Sequence, residues 1–93
     1  MALNLAAWER CGTMPEPRAG CAVGAEGDGI VVVGGTRGED GRKLWSARTD
    51  RFAPATGAWE ALAPLPQPLG DAAGAVFRGR MHVLGGGTAD SIA

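Results

Sequence analysis

Arginine side chains are the strongest binding candidates in this chain of 93 residues. Arg37 and Arg42 lie within a polar stretch, residues 36–43, that we predict to be a loop. Arg18 lies at the end of a proline-rich segment. The planar guanidinium group matches a carboxylate through two parallel hydrogen bonds. Loops carried by a rigid scaffold are also where binding residues concentrate. This pattern favours recognition of an acidic group, and a solvated polar loop is the alternative interpretation.

Residues for metal or acid–base chemistry are sparse. His82 is the single histidine, and Cys11 and Cys21 are the two cysteines, which we predict to be buried, inert thiols. These three residues cannot build a zinc or copper site. An acid–base enzyme needs a convergent pair of groups. The sequence shows no such pairing among the acidic residues of its predicted turns and loops, which are Glu26, Asp28, Glu39 and Asp40. We therefore predict no catalytic residue, no metal and no cofactor.

Two glycine-rich segments do not match a nucleotide-binding loop. Residues 24–29 and 34–38 fit neither the dinucleotide fingerprint nor the P-loop. No predicted helix follows either segment to present amide groups to a phosphate. We therefore predict that these glycines form turns between strands.

Overall composition excludes several classes of partner. The formal net charge is −1 and both signs are scattered, so no basic patch for nucleic acid is visible. The longest apolar run, residues 30–33, is far too short to span a bilayer. The first residues lack the basic start of a signal peptide. We expect neither nucleic acid nor a membrane as partner, and the cytoplasm is the default location.

Much of the sequence forms an internal repeat. Trp8 corresponds to Trp59, a spacing of 51 residues (59 − 8), and with no gap Val32 falls on Val83. The doublet Gly34-Gly35 falls on Gly85-Gly86 in the same register. A period of about 20–50 residues marks repeat architectures, in which one unit cannot bury its apolar face alone. The chain is therefore predicted to contain structural units that pack on one another.

Short strands separated by Gly and Pro turns account for the pattern within each unit, and no helix is predicted. The run at residues 30–33 is β-branched and apolar on both faces, which predicts a strand buried on both sides. The predicted strands are a short one around Trp8, followed by residues 19–25, 30–33, 44–52, 58–62, 72–77 and 81–84. The sequence thus predicts an all-β protein.

These recurring elements resemble the kelch repeat, over about residues 8–87. The matching elements are Pro17-Arg18-Ala19-Gly20, the apolar run closed by Gly34-Gly35, and residues 52–59, which end at Trp59. Phe52 stands for the usual Tyr and Ala53 for the usual Asp. A period of about 50 residues is the one typical of kelch. The residues assigned to the structural repeat motif are Trp8, Gly34, Gly35, Trp59, Gly85 and Gly86.

The resemblance implies a kelch-type β-propeller, in which four-stranded blades surround a channel. On this basis residues 1–93 form a partial propeller with about one complete blade. Residues 5–18 are the last strand of a preceding blade and a connection, 19–69 the complete blade, and 70–93 the first half of the next. The remaining blades are expected from a longer parent chain or from self-association.

The resemblance also implies a non-catalytic scaffold that binds a protein, or a small carbohydrate or acidic ligand. It places the predicted loop at residues 36–43 on the same face as Arg18, so Arg18, Arg37 and Arg42 are the predicted ligand-binding residues. For Arg18 the alternative is a role in bracing a strand. For the whole chain, the alternatives are a fragment of a carbohydrate-acting propeller enzyme, such as a sugar epimerase or mutarotase, and a non-functional truncation product.

Overall fold

A computed structural model describes residues 12–88, and every regular element in this range is a β-strand. The eight strands are β1 (Ala22–Glu26), β2 (Gly29–Val33), β3 (Thr36–Glu39), β4 (Arg42–Trp45), β5 (Thr49–Ala53), β6 (Ala58–Ala61), β7 (Ala73–Phe77) and β8 (Arg80–Leu84). The predicted all-β class is therefore confirmed for this range. The strand predicted around Trp8 lies outside the described residues. No helix long and apolar enough to cross a membrane occurs in this part of the chain.

The largest sheet has four antiparallel strands in the order β1-β2-β5-β6. The apolar run predicted to be buried lies in β2 at its centre, where Val31, Val32 and Val33 are all buried. The last two strands of the sheet pair with each other, and their register sets Phe52 of β5 opposite Trp59 of β6. Their rings lie 4.9 Å apart between centroids, with Phe52 buried. The aromatic pair therefore links the last two strands.

The predicted loop at residues 36–43 is instead part of a second antiparallel pair, β3 and β4, so that prediction was wrong. Asp40 and Gly41 form its turn with φ of 52° and 74°. Positive φ at both central residues is typical of the two-residue hairpin turn that Asp-Gly favours. The third strand of the large sheet accordingly begins at Thr49, later than predicted, because residues 42–45 pair with β3.

The third sheet, β7-β8, repeats β1-β2 at a shift of 51 residues at every strand boundary, as Ala22 and Ala73 illustrate. This hairpin packs face to face on the large sheet. The buried side chains of Ala22, Val31 and Val33 form the core between the two sheets. The partly buried Met81 and Val83 of β8, together with Leu65 of the preceding connection, cover it. The repeated units therefore pack on one another as predicted.

The Gly34-Gly35 doublet lies where the end of β2 closely approaches the connection at Leu69. Both residues have positive φ, 66° and 104°, a conformation that favours glycine. The Gly35 N–H donates to the Leu69 carbonyl at 2.8 Å, and a Cβ on Gly34 would collide with that same oxygen. Gly85 and Gly86 repeat the positive φ in the second unit. The doublet thus ends β2 and ties it to the connection that leads into the next unit.

Candidate functional site

An open groove of about 1050 Å³ lies between the proline-rich segment before β1 and the β3-β4 hairpin. All three arginines predicted to bind ligand are among the residues that line it. The cationic side chains of the lining are Arg18, Arg37, Arg42, Lys43 and Arg48, and Glu16 is its carboxylate. The structure therefore brings the predicted residues together, along with two cations that were not predicted.

Arg18 is enclosed beneath the groove and does not face solvent. Its side chain is 0% exposed, and its guanidinium donates to the Asp50 carboxylate at 3.0 Å. It also donates to the Ser46 hydroxyl at 3.4 Å and to the Arg48 carbonyl at 3.3 Å. Its Nε–H is buried with no acceptor among residues 12–88. This geometry favours the bracing role for Arg18, because its contacts join the segment before β1 to the start of β5.

Arg48 is the second partner of Asp50 and was not predicted. It donates to both carboxylate oxygens, at 3.1 Å and 2.8 Å, while its own side chain is 41% exposed. The hydrogen bond from Arg48 is the largest cause that lowers the pKa of Asp50, and the charges of Arg48 and Arg18 act in the same direction. The same hydrogen bond raises the pKa of Arg48. Arg48 lies immediately before β5 and Asp50 is its second residue, so the two paired side chains are only two residues apart in the sequence.

Arg37 projects from β3 and is partly neutralised. It forms ion pairs with Glu39 at 3.3 Å and with Glu16 at 3.6 Å. About one third of its side chain is exposed. Of its carboxylate partners Glu16 lines the groove, and both Glu16 and Glu39 are partly exposed, so water screens their attraction. An incoming anion would therefore compete with these two carboxylates for the Arg37 guanidinium.

Arg42 and Lys43 begin β4 and are both exposed. The Arg42 guanidinium has no ion pair or hydrogen bond among residues 12–88. The Lys43 ammonium lies 5.1 Å from the centroid of the Trp45 ring, within the range of a cation–π contact. Neither cation uses its hydrogen-bonding capacity within the described part of the chain, and Arg42 also lacks a ring contact there.

The local charge of the site is positive. Five cations line the groove, and three carboxylates pair with them, namely Glu16, Glu39 and Asp50, which leaves an excess of two positive charges. Cations gathered in a cleft raise the local concentration of anions. The arrangement can therefore attract an anionic group and hold it by charge-assisted hydrogen bonds.

A smaller cavity of about 410 Å³ adjoins the groove at the start of β4. It shares Arg42 and Lys43 with the groove, and its wall includes Trp45 and Pro68. Because the two cavities share these cations, a ligand whose anionic group sits beside Arg42 could place an apolar portion against Trp45.

Other predicted residues take structural positions. Gly34, Gly35, Gly85 and Gly86 lie at strand ends and Trp59 packs on Phe52, while Trp8 is outside the described residues. Over residues 12–88 no group of three or more potential metal ligands occurs. A scan against protein-family models finds no match for this chain, and a search of curated proteins finds none either.

Proposed function

We propose that the chain is a segment of a kelch-like β-propeller and acts as a non-catalytic binding scaffold for an acidic protein or small acidic ligand. Three observations support the kelch-like assignment. The strands of the second unit repeat those of the first, Gly-Gly doublets follow the apolar strands, and successive sheets pack face to face. Further blades would come from a longer parent chain or from other copies.

The cationic groove is the observation that carries the binding proposal. Arg42 offers a guanidinium without a partner among residues 12–88, and Arg48 is 41% exposed although it is paired with Asp50. Arg42 lies on the β3-β4 hairpin, and Arg48 lies just before β5, where its carbonyl accepts a hydrogen bond from the Gly34 N–H, so both are positioned before a ligand arrives. Preorganised donors lose less conformational freedom on binding than donors on flexible loops.

A carbohydrate-acting enzyme would need an acid and a base facing the same space. Glu16 is the carboxylate that lines the groove, and it is paired with Arg37. Asp50 is buried beneath Arg18 and Arg48. The described geometry therefore supports the binding scaffold better than the enzyme.

The test is a titration of the protein with a fluorescein-labelled tetraglutamate peptide, followed by fluorescence anisotropy. Arg42→Ala should weaken binding at least about tenfold, since a hydrogen bond to a charged group contributes about 1.5 kcal/mol at the lower end. Its melting temperature should stay unchanged because the side chain is exposed. Arg80→Ala is the matched control, since it removes the same charge from β8, outside the groove.

Arg18→Ala separates bracing from binding. Because its side chain is fully buried against Asp50, this variant should lose thermal stability, unlike Arg42→Ala. Equal weakening by Arg42→Ala and Arg80→Ala would mean non-specific attraction between charges and would contradict the proposed site. Catalysed exchange of sugar anomers by the unmodified protein, measured by polarimetry with a panel of sugars, would refute the non-catalytic scaffold.

A further inference from the structure

The β1-β2 and β7-β8 hairpins are equivalent in the repeat, but their equivalent faces differ strongly in exposure to solvent. Ala22, Val31 and Val33 on one face of β1-β2 are only 2%, 3% and 4% exposed, because β7-β8 covers them. Their counterparts 51 residues later lie on the face of β7-β8 turned away from the large sheet, where Leu84 is 66% exposed. We name this surface the β7-β8 outer face; it consists of Ala73, Ala75, Phe77, Arg80, His82 and Leu84.

The surface that covers the first unit is also present twice. Gly74, Val76, Met81 and Val83 of β7-β8 point toward the large sheet. Their counterparts in the first unit are Val23, Ala25, Ile30 and Val32, on the face of β1-β2 turned away from β7-β8. We name this surface the β1-β2 outer face. On it Val23 is 53% exposed and Ala25 is also exposed, whereas Ile30 is partly buried and Val32 is only 6% exposed.

We propose that the β7-β8 outer face binds the β1-β2 outer face of a second copy of this chain, in the way the two hairpins pack within one molecule. The chain carries counterparts of both halves of a contact that it already makes internally, and Val23 and Ala25 are the exposed part of the β1-β2 outer face that a second copy offers. Small residues allow the close approach within the chain, where a Cβ on Gly24 would meet Met81 and Val76. The equivalent position on the β7-β8 outer face is Ala75, which does carry a Cβ; in a second copy this Cβ would face Ala25 and Ile30, and Ala25 is smaller than its counterpart Val76.

Apolar content supports a protein partner for this face. Phe77 is 61% exposed and lies beside His82 with 6.1 Å between ring centroids, and Leu84 extends the same surface. Burial of apolar area at about 25 cal/mol per Å² is the main driving force for association. The contact joins two different surfaces, so it is heterologous and a third copy can add in the same way, closing a ring or extending a chain. This inference rests on the internal repeat and is independent of the ligand of the groove.

Light scattering after size exclusion, over a series of loading concentrations, tests the proposal with the full chain. The unmodified protein should exceed the monomer mass, increasingly so with concentration. Phe77→Asp and Val23→Asp each place a charge on one of the two outer faces. Both substituted residues are more than half exposed, so circular dichroism should show an unchanged fold. Each variant alone should have a dissociation constant at least tenfold higher than that of the unmodified protein.

Mixing the two variants gives the decisive result. Phe77→Asp retains the β1-β2 outer face and Val23→Asp retains the β7-β8 outer face, so an equimolar mixture should form a dimer and grow no further. Leu62→Glu is the control, because Leu62 is 36% exposed and belongs to neither face. It should associate like the unmodified protein. A monomer at all concentrations, association insensitive to both aspartates, or a mixture without dimer would each overturn the proposal.

Discussion

Asp50 compensates the buried positive charge of Arg18 and also pairs with Arg48. It is 1% exposed and accepts hydrogen bonds from Arg18 and Arg48. Breaking a buried ion pair by removing one partner costs far more than an exposed pair is worth, because the other charge is left uncompensated. Arg18 would be that uncompensated charge, since its side chain is 0% exposed.

Asp50→Asn should therefore lower the free energy of unfolding by about 3–5 kcal/mol, measured by urea denaturation at neutral pH. The amide keeps the shape of the side chain and removes its charge. Glu39→Gln makes the same chemical change in the exposed pair with Arg37 and should cost less than about 1 kcal/mol. Similar losses in the two variants would show that burial does not determine the strength of these pairs.

Stability should also depend on acid through Asp50. The pKa of this carboxyl is lowered from its ordinary value of 3.8 in the folded state, chiefly by the hydrogen bond from Arg48. The unfolded chain therefore takes up the proton more readily than the folded chain. The stabilisation is fully present above pH 3.8 and is lost as the pH falls through the lower pKa of the folded state.

Urea denaturation at a series of pH values, from neutral down to about 2, should show this loss in the unmodified protein. Asp50→Asn has no group to titrate at this position, so its stability should change less over the acidic range. Parallel pH profiles for the two proteins would contradict the assignment of the acid dependence to Asp50.

Part of the candidate binding site could be predicted from individual residues of the sequence, and part of it could not. The positions of Arg37 and Arg42 beside the groove follow from their polar segment, which is exposed whether it forms a loop or a hairpin. The burial of Arg18 depends on Asp50, 32 residues away, and such a contact has no local signal. Arg48 lies just before β5, two residues from Asp50, and the pairing of the two side chains depends on the local backbone there.

At the scale of elements, the β3-β4 hairpin shows why a polar segment was mistaken for a loop. Its strands are exposed at Gly38, Glu39, Arg42 and Lys43, so no alternation of apolar and polar residues marks them. The remaining sequence signal is the Asp40-Gly41 turn. The strands of the large sheet were better predicted because β2 is apolar and buried on both faces.

The Gly34-Gly35 doublet gives a prediction at this scale, with Gly57 as a matched control. Gly34 and Gly57 have similar positive φ, 66° and 76°. A Cβ added at Gly34 would collide with the Leu69 carbonyl oxygen, whereas a Cβ added at Gly57 would point into open space. Gly57→Ala should cost about 1 kcal/mol of unfolding free energy from backbone strain alone. Gly34→Ala should cost a further 1–3 kcal/mol or so from the collision.

Urea denaturation of the two alanine variants measures this difference. Equal losses would mean that the chain at Leu69 can move aside freely. In that case the doublet would serve only to turn the backbone, and would not hold the connection against β2.

At the scale of the whole molecule, stability depends on the contact between the two sheets. The alternating pattern of β8 separates its two faces, with Met81 in the core and Leu84 exposed. The predicted repeat accounts for this packing, because each unit has apolar residues on both faces. The repeat alone could not tell which of the equivalent faces is covered, since that depends on which neighbouring unit is present.

Met81→Ala and Leu84→Ala remove apolar groups from opposite faces of the same strand. Met81→Ala should lower the free energy of unfolding by about 2 kcal/mol, because it leaves a void against Ala22 and Val33. Leu84→Ala should change it by less than about 0.5 kcal/mol. The measurement is urea denaturation at a concentration where light scattering gives the monomer mass. A larger effect of Leu84→Ala under that condition would contradict the observed sheet packing.

The long separation between Arg18 and Asp50 has a consequence for the order of folding. The β1-β2, β3-β4 and β7-β8 pairs are local hairpins, and hairpins of this kind form in about 1–10 μs. The ion pair requires closure of a segment of 32 residues and placement of β5, so it should form after the main barrier. Loss of Asp50 should then raise the unfolding rate constant and leave the folding rate constant almost unchanged.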